Sequence, residues 1–407
     1  MVKMPDAVGG PRIVLASRLF TPEVSAGAFR LNALARGLVR LGAEVTVITS
    51  RPPAHAPAAD DADLRVLRWP VLRDRGGNVR GYLQYASFDG PLLLRLLARS
   101  WDLAVAESPP TTGMMVRLAA ALRRRPFVYY AADVWTDGVI SMGAPRPVVG
   151  LMRWMERAVL RSAAVVLSVS DEVSERLVQL GANPNRIVTV GNGIDTTVFR
   201  PDVHTIAPSG ESYFVYTGTM SEWQQPDVFI RGFASLAHEF PELRLRFFGQ
   251  GAVESQLRAL ADELVPGRVQ FGGVVDPAHS ASWIRGACAA LVSIAPGIGY
   301  DFARPTKTYA AAACGTPVLF AGADVGGALV RDAGLGLAVD FTPEAVAEGM
   351  RALLDSHASG ETDRLRARRA GWARENVSLA AVGDRAAAAA AAATTAGFPG
   401  PDTPQVD

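Results

Sequence analysis

The residues of this 407-residue chain best suited to chemistry are two cations, Arg304 and Lys307, separated by Pro305 and Thr306. The segment that follows is built as a short helix. Pro305 suits a first helical position, where its missing N–H costs nothing. Alanines 310–313 carry the strongest helix propensity. Gly315 sits where a left-handed C-cap belongs, Pro317 stops the helix, and residues 318–320 read as a short buried strand. A helix start favours anions, so two cations there oppose the helix dipole unless a bound anion joins them. The chemistry this suits is binding of a phosphate or diphosphate. The competing reading is two solvated charges on a loop.

Other polar groups fall where open α/β sheets bind ligands, just past strand C-termini. Glu107 follows an expected strand at 103–106, and Asp133 follows one at 127–130. Between the strand 13–16 and a helix whose apolar residues recur from 29 to 41 lies a loop of mostly small residues. It holds Glu23, Ala26 and Gly27, and a ligand can approach its backbone closely. Gly218 and Thr219 end the strand 213–216, while Gly249 and Gly251 follow the strand 244–248. No complete G-x-G-x-x-G follows any strand, which ranks a nicotinamide-dependent oxidoreductase last among the readings. The five histidines (55, 204, 238, 279 and 357) fall in expected loops or helices, so no histidine mechanism is expected. Cys288 and Cys314 stand far apart in apolar contexts and form neither a disulfide framework nor a metal cluster.

These groups need two scaffolds. The first is a strand–helix series: strands at 13–16, 45–48, 64–69, 103–106, 127–130, 165–169 and 187–190, with helices at 82–99, 113–125, 148–161 and 171–180. Ser170 caps the last of these. Residues 199–212, with Pro, Ser and Gly, read as a linker. A second series follows, with strands at 213–216, 244–248, 269–271, 289–293, 318–320 and 337–339. Its helices are expected at 228–240, 253–264, 282–288, 326–333 and 343–356, besides the short one after Pro305. The expected fold class is α/β, two Rossmann-like domains facing across a cleft: residues 1–200 and 201–377. An alanine-rich helix at about 378–394 is expected to pack back on the first, and 395–407 to be a disordered tail.

Net charge is +1, which argues against a nucleic-acid partner held by bulk charge. The chain is 49% hydrophobic and 20% charged, enough apolar content for two cores. No signal peptide or membrane-spanning run is apparent, so a cytoplasmic location is expected. The arginine-bearing helices at 82–99 and 148–161 leave peripheral contact with the inner face of a membrane as a side question.

Four features recur in order: the loop 21–23 with its helix; the turn 191–195 with Phe199 and Pro201; the strand 214–216 with Gly218-Thr219; and Pro305-Thr306-Lys307 with Cys314-Gly315-Thr316-Pro317. Together they resemble the family-4 glycosyltransferases of the GT-B fold, and more narrowly the bacterial capsule and O-antigen amino-sugar branch. The resemblance implies a retaining hexosyl- or amino-sugar transferase with a nucleotide-diphosphate sugar as co-substrate and no cofactor or metal. The acceptor it implies is a hydroxyl on a cell-surface glycan, a lipid-linked sugar or a small molecule. It puts the donor in the second domain and the acceptor in the first.

On that resemblance Arg304, Lys307 and Asp133 are the catalytic candidates. Gly218, Thr219, Gly249, Gly251, Asp301 and Thr308 are the donor contacts. Glu23, Ala26, Gly27 and Glu107 line the acceptor loops. The family's two glutamates fall here on Phe302 and Ala310, neither of which can accept a hydrogen bond from a sugar. A carboxylate–ribose bond is worth about 1.5–3 kcal/mol. Asp301 is the nearest substitute. This departure keeps open a second reading, a non-catalytic GT-B scaffold.

Overall fold

The computed structural model describes residues 10–23, 25–53, 64–74, 79, 81–208, 210–297, 304–322 and 324–395. Asp301, Phe302 and the expected tail beyond 395 lie outside them. The chain divides into two compact units. One comprises residues up to Asn192 joined by those from Leu379 onward, and the other is Gly193–Ser378.

The first unit alternates β1 (Arg12–Ala16), α1 (Ala26–Arg40), β2 (Glu44–Ser50), β3 (Arg65–Trp69), α2 (Tyr82–Leu97), β4 (Leu103–Glu107), α3 (Pro110–Arg123) and β5 (Phe127–Ala131). It continues with α4 (Trp135–Ser141), α5 (Arg146–Ser162), β6 (Val165–Ser168), α6 (Asp171–Gln179) and β7 (Ile187–Thr189). The strands form one parallel sheet in the order β3-β2-β1-β4-β5-β6-β7. Parallel strands are covered on both faces, so they read as continuous apolar runs. On β1, Ile13 and Leu15 face Leu31 and Leu34 of α1, while Val14 and Ala16 belong to the opposite core with Phe88 and Leu92 of α2.

The second unit runs β8 (Tyr213–Thr217), α7 (Asp227–Leu236), β9 (Arg244–Phe248), α8 (Glu254–Leu264), β10 (Val269–Phe271), α9 (Pro277–Gly286), β11 (Ala289–Ile294) and α10 (Thr306–Ala313). Then come β12 (Val318–Gly322), α11 (Asp324–Asp332), β13 (Gly336–Val339), α12 (Pro343–Ala358), α13 (Glu361–Arg364) and α14 (Arg366–Asn376). Its parallel sheet has the order β10-β9-β8-β11-β12-β13.

The last helix, α15 (Leu379–Thr395), lies against α1. Its alanines are there for close approach: Ala386, Ala387 and Ala390 are wholly buried. A Cβ built on Gly383 would lie 2.5 Å from the Ala33 carbonyl. Only small residues allow two helices to touch backbone to backbone.

Several expectations need correction. Pro305 has extended backbone (ψ 131°) and is the residue before α10, not its first helical residue. Residues Trp135–Ser141 form a helix, α4, that has no counterpart in the sequence reading. The expected helix 282–288 begins earlier, at Pro277, and ends at Gly286, because Asp276 caps it by accepting from the His279 N–H at 2.9 Å. The expected linker packs on the second unit: Phe199, Val203 and Ala207 join its core, and Arg285 donates to Pro201 O at 2.6 Å. Helices α13 and α14 have no counterpart in the sequence reading. Among the described residues no helix is long and apolar enough to cross a membrane.

Strand order reverses beside β1 in one sheet and beside β8 in the other. Ligands of open α/β sheets bind beyond the strand carboxyl ends at such switch points. The loops there hold most of the candidate residues.

Candidate functional site

In the second unit the site is built on the β8 loop. Lys307, in the first turn of α10, points its ammonium at that loop. Its Nζ donates to Thr219 O at 2.9 Å and lies 4.0 Å from the centre of the Tyr216 ring. The Tyr216 hydroxyl, fully buried, is 2.8 Å from both Thr219 O and Gln224 Oε1, which fixes the loop's path. Gly218 has φ +106°, and a Cβ there would lie 3.1 Å from Lys307 Nζ. Glycine therefore gives the loop its turn and the ammonium its room.

The β9 loop stacks on the β8 loop. A Cβ on Gly249 would sit 2.0 Å from Gly218 O, and one on Gly251 would sit 1.9 Å from Met220 O. Backbone bonds tie the two loops: Gly218 N–H to Phe248 O at 2.8 Å and Met220 N–H to Gln250 O at 3.1 Å. Gly218, Thr219, Gly249, Gly251 and Lys307 are thus brought together.

Among the described residues no carboxylate pairs with Lys307. Burial pushes its ammonium down to about 7 from an ordinary 10.5. A half-buried cation on a π face, with its charge uncompensated, is a seat for an anion.

The other candidates of this unit are placed differently. Arg304 is exposed and lines a groove with Val325, Leu329 and Trp372 beside α11. Thr308 is buried, and its N–H donates to Pro305 O at 3.0 Å, so it belongs to the helix start and the core. Ala310, at a family glutamate position, packs in the core with Phe248 and Ile294.

In the first unit, Glu107 is the last residue of β4 and is buried. It accepts from Ser17 Oγ at 2.8 Å and pairs with Arg30 at 3.4 Å. Burial raises its pKa, opposed chiefly by Arg30. Its Oε1 would be 2.9 Å from a Cβ on Gly27, so it locks the start of α1 to the ends of β1 and β4. Glu23 is held by Arg73 in a two-point ion pair, at 2.8 and 3.1 Å. Ala26 is exposed in the first turn of α1.

Asp133 is exposed, two residues before α4. That helix has no local cap. Instead Glu156 of α5, with no solvent exposure, accepts from the Trp135 and Thr136 N–H groups, both at 2.9 Å. A carboxylate on two unpaired N–H groups at a helix start is favourable for both charge and hydrogen bonding. Glu156→Ala is expected to cost about 2–4 kcal/mol, since it strands both donors in the interior. Urea unfolding should show this as a lower midpoint.

Sequence reasoning missed Tyr216, Glu156, Arg30 and Ser17. Only Tyr216 left a local signal, as an aromatic residue at the end of a strand leading into Thr217-Gly218.

The sequence pattern of the glycosyl transferase 4-like domain matches residues 26–193, and that of the glycosyl transferases group 1 matches residues 211–356. A D-inositol 3-phosphate glycosyltransferase of Nocardioides sp. is 30% identical over 250 residues, covering 56% of this chain and 53% of that one. The chain thus spans about half the length of that relative. The enzyme of the same description from Xylanimonas cellulosilytica is 30% identical over 406 residues, covering 89% of this chain and 94% of that one. Among solved structures, Anabaena HepE in complex with UDP-glucose aligns at TM-score 0.58 and 17% identity, over 93% of this chain and 98% of that one. That likeness shows the fold alone. The relatives named here are described as inositol phosphate enzymes, which supports the glycosyltransferase resemblance and not specifically its capsule and O-antigen branch.

Proposed function

The chain belongs to the glycosyltransferases with a 4-like domain and a group 1 domain, and from that premise we propose that it transfers a sugar, with retention and without a metal, from a nucleotide-diphosphate donor to a hydroxyl acceptor. The donor binds the second unit and the acceptor the first. The supporting observation is the Lys307 ammonium, without a carboxylate partner among the described residues, against the stacked glycine loops. The donor sugar is a hexose or an amino sugar. The acceptor is a hydroxyl of a small molecule or of a larger, lipid-linked glycan.

In the reaction the bond from C1 of the sugar to the diphosphate oxygen breaks, and its electron pair stays on that oxygen. Lys307 stabilises the charge that develops there, while the glycine loops, free of side chains, leave room for the phosphates. The acceptor oxygen bonds to C1 on the same face, and its proton passes to the departing phosphate oxygen. No strong base is then required, and Asp133 serves to orient the acceptor hydroxyl.

The test is calorimetry with UDP-, GDP-, ADP- and dTDP-glucose in buffers of different ionisation enthalpy. Free Lys307 titrates near 7. A bound diphosphate favours the charged form and raises that value. At pH 8 binding should therefore take up close to one proton. At pH 6 the ammonium is already formed and the uptake should vanish. Affinity should fall as pH rises above 7, by up to about tenfold per unit. A donor that binds with no proton uptake at pH 8 overturns the role of Lys307. Binding of no donor at all sinks the reading and leaves a scaffold without donor recognition.

A further inference from the structure

Helices α2, α3, α4 and α5 of the first unit surround a groove of about 760 Å3. Ligand clefts commonly measure ~300–1,000 Å3. Five of the nine methionines of the chain line it: Met114, Met115, Met142, Met152 and Met155. Methionine is unbranched and flexible, and it adapts to irregular or flexible apolar partners. At the lip, Tyr82, Met142 and Leu151 are 71, 72 and 56% exposed. The groove therefore opens to solvent through apolar side chains.

Its inner end is polar and incompletely paired. Asp89 is 6% exposed and accepts from Thr112 Oγ at 2.6 Å, but its Oδ2 has no hydrogen bond of good geometry. Burial raises the pKa of that carboxylate, opposed by hydrogen bonding from Thr111 and Thr112. Among the described residues the Trp135 Nε1 donor, buried in the same lining, has no partner. Behind the lining, Arg18 is 9% exposed, stacks 4.1 Å over the Tyr85 ring, and leaves Nε unpaired among the described residues. Buried polar atoms are almost always paired, so several unpaired at one end of an apolar groove point to a ligand with a polar end. That end lies beside the candidate acceptor loops: Pro109 follows Glu107 by two residues, and Trp135 follows Asp133 by two.

We propose that the groove binds an amphiphile. Its single hydrocarbon chain lies along the methionine wall and leaves through the lip, and its hydroxyl-bearing head meets Asp89 and Trp135. The identification of this amphiphile as the acceptor's carrier rests on the glycosyltransferase reading. The binding itself does not. The inositol phosphate of the relatives' names is polar and would leave the methionine wall uncovered.

The test uses 1-alkanols from hexanol to dodecanol as probes, with the methionine methyl groups labelled for NMR. The expected result is shifts confined to the five groove methionines, with Met220 and Met350 unmoved. Affinity should rise about three- to fourfold per added methylene, the increment for hydrocarbon burial. Ala86→Trp, an exposed substitution in the lining, should weaken the longer alkanols at least tenfold. Affinity independent of chain length, or equal shifts at Met220 and Met350, overturns the proposal. So does a concentration-dependent dimer that Ala86→Trp abolishes, since a second copy would then be the occupant. Donor calorimetry on the same preparation separates the two readings. Donor binding without alkanol binding sinks the groove alone. Alkanol binding without donor binding supports the groove and removes its acceptor role.

Discussion

Lys307→Ala is expected to lower kcat/KM for transfer by about 10²–10³-fold, the loss found when one preorganised charge or donor is taken from a developing oxyanion. Nucleotide-diphosphate binding should weaken with it. Stability should not fall. The native ammonium titrates near 7, while the unfolded lysine keeps its proton up to about 10.5. The unfolded chain thus binds more protons between those values, so this group opposes folding. Its cost is greatest below pH 7 and is relieved as pH rises toward 10.5. The alanine variant lacks that cost and should melt no lower than the unsubstituted protein at pH 7, with a smaller gain in stability from pH 7 to 9. Full transfer activity in the variant would refute the diphosphate assignment. A lower melting temperature would instead make Lys307 a packing residue, through its stem on Tyr216 and its bond to Thr219. Lys307→Arg should not restore activity, because the ammonium is seated between Thr219 O, 2.9 Å away, and the Tyr216 ring, 4.0 Å from its centre. A planar guanidinium cannot take that place without moving the loop.

How much of this was legible depended on the range over which each determinant acts. The strands at 103–106, 127–130 and 289–293 were readable because a parallel strand covered on both faces must be apolar throughout. The short helix before Gly315 was readable because its stop signals are local, and Gly315 does adopt φ +70°. What closes that helix was not readable. Arg366 and Arg369, buried in α14, donate to the carbonyls of Cys314 and Gly315 at 3.2 and 3.4 Å. A helix anchored by buried arginines shows no apolar stripe, which is why α14 had no counterpart in the sequence reading. The same holds for α4, whose cap is Glu156, 20 and 21 residues further along the chain. At the candidate site, the helix start with Lys307 could be found from Pro305, the alanines and Gly315. Its seat could not, because the ring of Tyr216 lies 91 residues earlier in the chain. Glu23 and Glu107 read as loop acids open to a ligand. Their engagement by Arg73, Ser17 and Arg30 is a tertiary fact that no spacing reveals.

Gly249→Ala should be among the most destabilising single substitutions in the second unit, and Gly267→Ala is its control. Both glycines have positive φ, +124° and +73°. A Cβ on Gly267 would meet nothing within 4 Å, so the alanine there bears only the backbone penalty, about 1–2 kcal/mol. On Gly249 the same Cβ falls 2.0 Å from Gly218 O and 2.7 Å from its carbonyl carbon. Both contacts are backbone atoms, so no side-chain rotation relieves them, and one loop must move off the other. That movement would stretch the Gly218 N–H bond to Phe248 O, which is 2.8 Å. Overpacking of this kind costs about 1–3 kcal/mol beyond the backbone term, so the pair should differ by at least that much in urea unfolding. The consequence for transfer follows from the same displacement. Gly218 and Thr219 would no longer sit beneath Lys307 Nζ, and the donor's KM should rise even where the variant remains folded. In Gly267→Ala, KM should stay unchanged at equal temperature. If both variants lose stability equally and both keep the donor's KM, the two loops do not bear on each other, and the stacked-glycine account of the donor site fails.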